Sequence, residues 1–277
     1  MRIGIVGMGA LGTVFAEALR PVASLRIAER AGVQALALAD VDVVLVVVKT
    51  YDTIAALQPL RGVLRAGVPI VSLQNGLEQI AQITRALGSS RAIALAPTTE
   101  AAYRDDAGAP RRVGLGTTTL GWAAEYAGEF DLAELVALLA TAGLAAREAS
   151  PIEPHVWAKA VVNAALNPIT ALAGKPNGYV ADNHAAGALA VALAREAAAV
   201  ARAEGITLPF DDPGEYVLAI ARATAPNRSS MLQDIERKRP TEIDAITGAI
   251  VRRGRACGVS TPENARMLDE IGRLTPR

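Results

Sequence analysis

The 277-residue chain carries one cysteine, Cys257, and only two histidines, His155 and His184. A lone cysteine excludes an intrachain disulfide, and so few soft ligands argue against a structural zinc site, so no metal is expected. Excess charge is missing too: Lys plus Arg total 28, as do Asp plus Glu. The formal net charge of zero leaves no broad basic field for nucleic acid or an anionic membrane. No uninterrupted apolar run approaches a membrane span, and the N-terminus enters a strand without a separate basic region, apolar block and cleavage site. A cytoplasmic protein acting on a small molecule is therefore expected, with a homodimer left open. The alanine-rich tracts keep helical spacing and read as helices rather than as low-complexity sequence. The length suffices for two domains of ordinary size.

What is present begins at the N-terminus. Arg2 to Val6 (RIGIV) reads as a short strand, followed by GMGALG with glycines at 7, 9 and 12 and then a helix through about Leu19. Strand, glycine loop and helix in that order form a dinucleotide fingerprint. Gly7 permits the tight turn, Gly9 lets the backbone approach a pyrophosphate, and Gly12 lets the helix pack closely on the strand. A second strand, Ser24 to Ala28, leads to Glu29-Arg30, where such a domain reads the adenosine ribose. Glu29 suits a free 2′-hydroxyl and hence NADH, while Arg30 suits a 2′-phosphate and hence NADPH; either could also be a solvated charge at a strand end.

Val41 to Val48 is a nearly continuous β-branched run, the pattern of a parallel strand buried on both faces. It delivers Lys49 at the carboxyl end, where ligands of open α/β sheets sit, so Lys49 is expected to face the cofactor or an acidic substrate. By the same logic Pro69 to Leu73 is a strand delivering Gln74-Asn75-Gly76. A strand from Arg91 to Ala96 leads into PTTEAA, further strands are expected near Arg112–Gly116 and Thr118–Trp122, a helix from Asp131 to Ala142, and a strand ending near Ala149. The prolines of Ser150-Pro151-Ile152-Glu153-Pro154 mark a linker. The expected architecture is α/β: an N-terminal Rossmann-like dinucleotide-binding domain over 1–149 and a C-terminal all-helical domain over 150–277.

In the second half, Asp182 is placed to cap a long helix ending at Gly205, Asn227 or Ser229 to cap the helix entered by Ser230, and Thr241 with Asp244 to form a capping box. Thr261-Pro262 opens a last helix with proline at its first position. Glu242 and Ser230 each have a local structural reading beside a functional one, as a charge at a helix start and as part of a cap.

The most informative stretch is His155 to Gly178, HVWAKAVVNAALNPITALAGKPNG. Lys159, Asn163 and Asn167 are spaced i, i+4, i+8, so on a helix Asn163 lies about 40° and Asn167 about 80° around from Lys159. A cation and two amides thus share one face of an otherwise apolar helix. Burying them without partners costs several kcal/mol, on the order of 1–3 for each group, so the face must meet polar groups or a solvated cleft. Asn167-Pro168 also reads as a simple helix kink.

GMGALG, VVVKTYDT, QNGLE, PTTEAA, WAKAVVNAALNPITALAGKPNG, NRSSMLQDIERKRPTEID and GVSTPENARML occur in this order and together resemble the ketopantoate reductase (2-dehydropantoate 2-reductase) family over nearly the whole chain. The resemblance implies an NADPH-binding Rossmann domain, a helical domain that closes over it and a ketoacid between them. It makes Lys159 the proton donor and Asn163, Asn167 and Asn177 substrate-side hydrogen-bonding groups, with Asn227 and Ser230 holding the substrate's polar groups. Gly7, Met8, Gly9, Ala10, Leu11 and Gly12 carry the pyrophosphate; Arg30, Lys49, Asn75, Ala102 and Glu242 serve the cofactor, Asn75 lying near both ligands. Glu196 matches a commonly acidic position and receives a secondary role.

Three departures stand out. Only 18 residues separate Arg30 from Lys49, fewer than in the family; Glu100 replaces a histidine; and Glu29 precedes the arginine. They leave NADH open as cofactor and, beside ketopantoate reduction, another hydroxyacid dehydrogenase or imine reductase of the same plan. A non-catalytic nucleotide sensor is a third reading, disfavoured because a sensor needs no proton donor.

Overall fold

The computed structural model describes residues 1–28, 35–89, 91–105, 107–124 and 128–274. The chain forms two compact units, Met1–Gln74 with Glu78–Ile152, and Asn75–Leu77 with Glu153–Arg277.

The first unit is built on a seven-stranded sheet. Its elements are β1 (Arg2–Val6), α1 (Ala10–Leu19), β2 (Ser24–Ala28), β3 (Val43–Val46), α2 (Thr53–Leu57), β4 (Ile70–Ser72), α3 (Gln79–Leu87) and β5 (Ile93–Leu95). Then follow the hairpin β6 (Ala101–Arg104) and β7 (Pro110–Val113), β8 (Thr117–Trp122), α4 (Leu132–Thr141) and β9 (Ala145–Glu148). The order β2-β1-β3-β4-β5-β8-β9 is parallel from β2 to β5; β8 runs antiparallel to β5, and β9 parallel to β8. Every residue of β3 and β4 is buried, which explains their unalternating apolar sequences. The core joins Ile3, Ile5, Leu45 and Val71 of the sheet to Phe15 and Leu19 of α1 and Leu135 and Leu139 of α4. Asp131 caps α4, its carboxylate accepting from the Ala133 amide at 2.8 Å.

The alanines of β6 carry no strand signal, and β7 begins two residues before the strand expected near Arg112–Gly116. The hairpin is fastened by Glu100, whose side chain is fully buried. One carboxylate oxygen accepts from Arg112 Nε at 2.5 Å and the other from the Gly116 amide. Glu100 is thus the buried half of an ion pair whose arginine is exposed, and removing Arg112 would leave a desolvated carboxylate with the Gly116 amide alone.

The second unit holds α5 (Glu153–Ala173), α6 (Gly178–Asp182), α7 (His184–Ala203), α8 (Pro213–Ala223), α9 (Ser230–Glu236), α10 (Ala249–Cys257) and α11 (Pro262–Leu274). Helix α5 runs on through Pro168 to Ala173, with the proline inside the helix. Helix α7 has the length and apolarity of a membrane span. It is a core helix of this unit: Ala190, Leu193, Ala194, Ala197, Ala198 and Ala201 are completely buried.

Two expected caps are corrected. Asn183, not Asp182, caps α7 by accepting from the Ala186 amide at 2.9 Å, because Asp182 is the last residue of α6. Thr241 and Asp244 form no capping box. A π-helical turn occupies Asp244–Gly248, Asp244 is drawn to Arg252 at 2.7 Å, and the Thr241 hydroxyl is buried without a partner.

Glu196 of α7 has a clear structural task. Its two carboxylate oxygens accept from the Glu263 and Asn264 amides at 2.9 Å each, and one also accepts from Asn264 Nδ2 at 2.8 Å. It therefore satisfies the first turn of α11 from a different helix. Glu196→Ala is expected to destabilise the fold by about 1–3 kcal/mol, the scale of a lost cap and charge-assisted hydrogen bonds. Urea unfolding measures this, and an unchanged midpoint would show that water replaces the carboxylate at no cost.

Candidate active site

In the first unit the glycine loop joins β1 to α1, and each glycine has a physical reason. Gly7 adopts φ +105°, a backbone conformation that side chains resist. A Cβ on Gly12 would stand 2.0 Å from the Gly7 carbonyl oxygen, whereas one on Gly9 would meet nothing within 4 Å. Close packing at Gly12 and open space at Gly9 are what a dinucleotide diphosphate requires of such a loop. Gly9 is also the N-cap of α1 and supplies no side-chain bond, leaving the helix start accessible to an anion. Met8 and Leu11 are partly buried against the sheet core, so their side chains anchor the loop from below.

Lys49 lies three residues beyond β3 and begins a 3₁₀ turn, Thr50–Asp52. Ala102 lies in β6, paired with Arg112 and packed against the core. Arg30 and Glu29, the residues expected to discriminate the ribose, lie outside the described residues. One contact at the loop had no sequence signal. Arg104, at the end of β6, donates through Nη2 to the Met8 carbonyl at 2.7 Å and through Nη1 to the Gly108 carbonyl at 2.8 Å. Its partner is 96 positions away, and Arg104 itself is paired with Pro110 of β7.

In the second unit α5 carries Lys159, Asn163 and Asn167 in one continuous helix, giving the shared polar face expected from their spacing. Lys159 and Asn163 are half-buried and Asn167 is buried. Desolvation lowers the Lys159 pKa to about 8, against the opposing pull of the Glu242 carboxylate, which raises it. Glu242 is itself buried, two residues before the π-helical turn, and accepts from Asn75 Nδ2 at 3.1 Å. The short segment Asn75–Leu77 belongs to this unit. Gly76, at φ +94°, lies so close to the Ala245 carbonyl that a Cβ would stand 2.5 Å from its oxygen. Asn75, Glu242 and Lys159 therefore form one polar cluster.

Asn177 and Asn227 are also brought together, the Asn177 amide donating to the Asn227 carbonyl at 2.9 Å. The Asn177 side chain donates to Thr224 Oγ1 at 2.9 Å, while its own Oδ1 is buried without a hydrogen-bond partner. Ser229 caps α9 by accepting from the Leu232 amide, and receives a hydrogen bond from Thr170 of α5 at 2.8 Å. Ser230 is exposed and is not the cap. The capping role is thus Ser229's.

A glycine loop shaped for a dinucleotide diphosphate, together with a desolvated lysine opposed by a buried carboxylate, defines a dinucleotide-linked oxidoreductase of two units. Comparison with known proteins specifies which. The family described as Ketopantoate reductase PanE/ApbA matches residues 21–125, and its C-terminal domain matches 151–274. The 2-dehydropantoate 2-reductase of Pyrobaculum aerophilum is 38% identical over 84% of this chain and 76% of its own length. That of Archaeoglobus fulgidus is 40% identical over 84% and 76%, and that of Shigella flexneri 31% over 99% and 95%. The crystal structure of a PanE/ApbA family ketopantoate reductase from Ralstonia eutropha JMP134 is similar with a TM-score of 0.87 and 28% identity, covering 99% of this chain and 98% of that one. A D-mandelate dehydrogenase, solved with NADH and anilino(oxo)acetate, shares the fold at TM-score 0.86 and 21% identity, covering 99% and 98%. The chain belongs to the ketopantoate reductase family.

Proposed function

We propose that the protein reduces 2-dehydropantoate to pantoate with NADPH. The observation that carries this reading is Lys159, desolvated to a pKa of about 8, facing Glu242 and sharing a helix face with Asn163 and Asn167. A bound nicotinamide dinucleotide supplies the hydride. Gain of a hydride at the carbonyl carbon leaves negative charge on the oxygen, and the Lys159 ammonium donates its proton there to complete the 2-hydroxyacid. Solvent then reprotonates the amine. A lysine near pKa 8 is still mostly protonated at neutral pH yet parts with its proton more readily than an ordinary one.

Asn163 and Asn167, with Asn177, Asn227 and Ser230, hold the ketoacid by neutral hydrogen bonds, which fix orientation without competing for the proton. Asn75 and Glu242 act on Lys159, Glu242 by keeping it charged and Asn75 by holding the carboxylate. Gly7 to Gly12 carry the diphosphate, with Lys49 and Ala102 toward the rest of the cofactor and Arg30 for a 2′-phosphate.

The test is the loss of reduced-nicotinamide absorbance with 2-dehydropantoate, other branched 2-oxoacids, an aryl 2-oxoacid and a cyclic imine, each with NADPH and NADH. We expect the highest kcat/KM for 2-dehydropantoate with NADPH. An aryl 2-oxoacid in first place would move the protein to the hydroxyacid dehydrogenases that share its fold, and turnover of none of these would leave only the cofactor reading.

A further inference from the structure

The glycine loop binds an anion only if its peptides face the right way, and the first of them has a lock. In a trans planar peptide the carbonyl and the amide of the next residue point in opposite directions. The Gly9 carbonyl is held inward by the Thr13 amide at 3.0 Å and the Thr13 hydroxyl at 2.9 Å, so the Ala10 N–H points out of the start of α1. The preceding peptide has no such helical constraint. Its Met8 carbonyl is held by Arg104 Nη2 at 2.7 Å; the Thr13 hydroxyl lies 3.4 Å away, its one proton better placed toward the Gly9 carbonyl. The Gly9 N–H must then point away from Arg104, and the space around Gly9 is open.

A peptide bond ahead of a glycine flips easily, since the glycine tolerates the φ that the flip creates. If Met8–Gly9 flipped, a carbonyl oxygen would face the diphosphate where an amide should, replacing attraction by repulsion. Arg104 is well placed to prevent this. Its fork is braced on the far side by the Gly108 carbonyl, and Nη2 also lies 3.4 Å from Thr13 Oγ1. Nη1 and Nη2 are thus engaged by protein carbonyls, which sets this arginine apart from one whose fork grips a phosphate.

We propose that Arg104 is a positioning residue: it locks the Met8–Gly9 peptide with its N–H toward the dinucleotide diphosphate. This rests on the cofactor reading above and adds to the binding site a residue from the hairpin β6–β7. The experiment compares wild type, Arg104→Met and Arg104→Lys in two titrations, one with NADPH, followed by its fluorescence, and one with adenosine 2′-monophosphate, which lacks the diphosphate. Arg104→Met should weaken NADPH about tenfold or more, the loss of a charge-assisted hydrogen bond and its orienting effect. Adenosine 2′-monophosphate should bind within about twofold of wild type, and Arg104→Lys, which keeps one donor for the Met8 carbonyl, should recover most of the NADPH affinity.

A merely structural arginine would weaken both ligands by one factor in step with a falling melting temperature, which would overturn the lock. NADPH binding to Arg104→Met within twofold of wild type would overturn it as well. Failure of the wild type to bind either NADPH or NADH is a different result, which removes the cofactor reading itself.

Discussion

Lys159→Ala is expected to lower kcat by about 10² or more, the scale on which a positioned general acid contributes, with NADPH affinity nearly unchanged. A small primary amine added to the variant should restore part of the rate in proportion to its protonated fraction. The pH profile is the second part. The active form of Lys159 is the ammonium, so wild-type kcat should fall as pH rises through about 8. Glu242 opposes the desolvation of Lys159, so Glu242→Gln should move this alkaline limb to lower pH. Linkage supplies a check that needs no substrate. The folded-state pKa of about 8 lies below the ordinary 10.5, so between these values the unfolded chain binds more protons. Wild-type stability should therefore rise with pH across that window relative to Lys159→Met, which has no titrating group. A flat difference, an undisturbed alkaline limb and no amine rescue would reduce Lys159 to a structural cation.

Gly12→Ala is expected to weaken NADPH binding by about a hundredfold or more, and Gly9→Ala serves as its contrast. The added Cβ at Gly12 would stand 2.0 Å from the Gly7 carbonyl oxygen, a distance that only backbone movement relieves. Helix α1 must lift from the turn, carrying the Ala10 amide out of place and costing on the order of 1–3 kcal/mol of stability as well. At Gly9 the space is empty and the backbone, φ −64° and ψ −172°, is open to alanine. Gly9→Ala should therefore keep its melting temperature and lose affinity only where the methyl meets the bound diphosphate. Fluorescence titration and thermal unfolding of the two variants separate these effects. Gly12→Ala binding NADPH within threefold of wild type would mean that the loop does not hold the diphosphate.

The elements with a strong local pattern were legible without a structure. RIGIV-GMGALG gives β1, its turn and α1; the β-branched run gives β3; and the four-residue spacing of Lys159, Asn163 and Asn167 gives one polar face, because helical geometry alone fixes it. Where two neighbouring side chains compete for one role, only the packed chain decides. Asn183 caps α7 in place of Asp182, Ser229 rather than Asn227 caps α9, and a π-helical turn replaces a capping box at Asp244. The electrostatics of the site were beyond sequence for a further reason. The pull of Glu242 on Lys159, the bond from Asn75 to Glu242 across 167 positions and the grip of Arg104 on the Met8 carbonyl across 96 are contacts between distant segments. Sequence determines which groups the chain carries and which local faces they share. The desolvation and hydrogen bonds that tune them depend on what the fold sets opposite, and that is decided by tertiary packing.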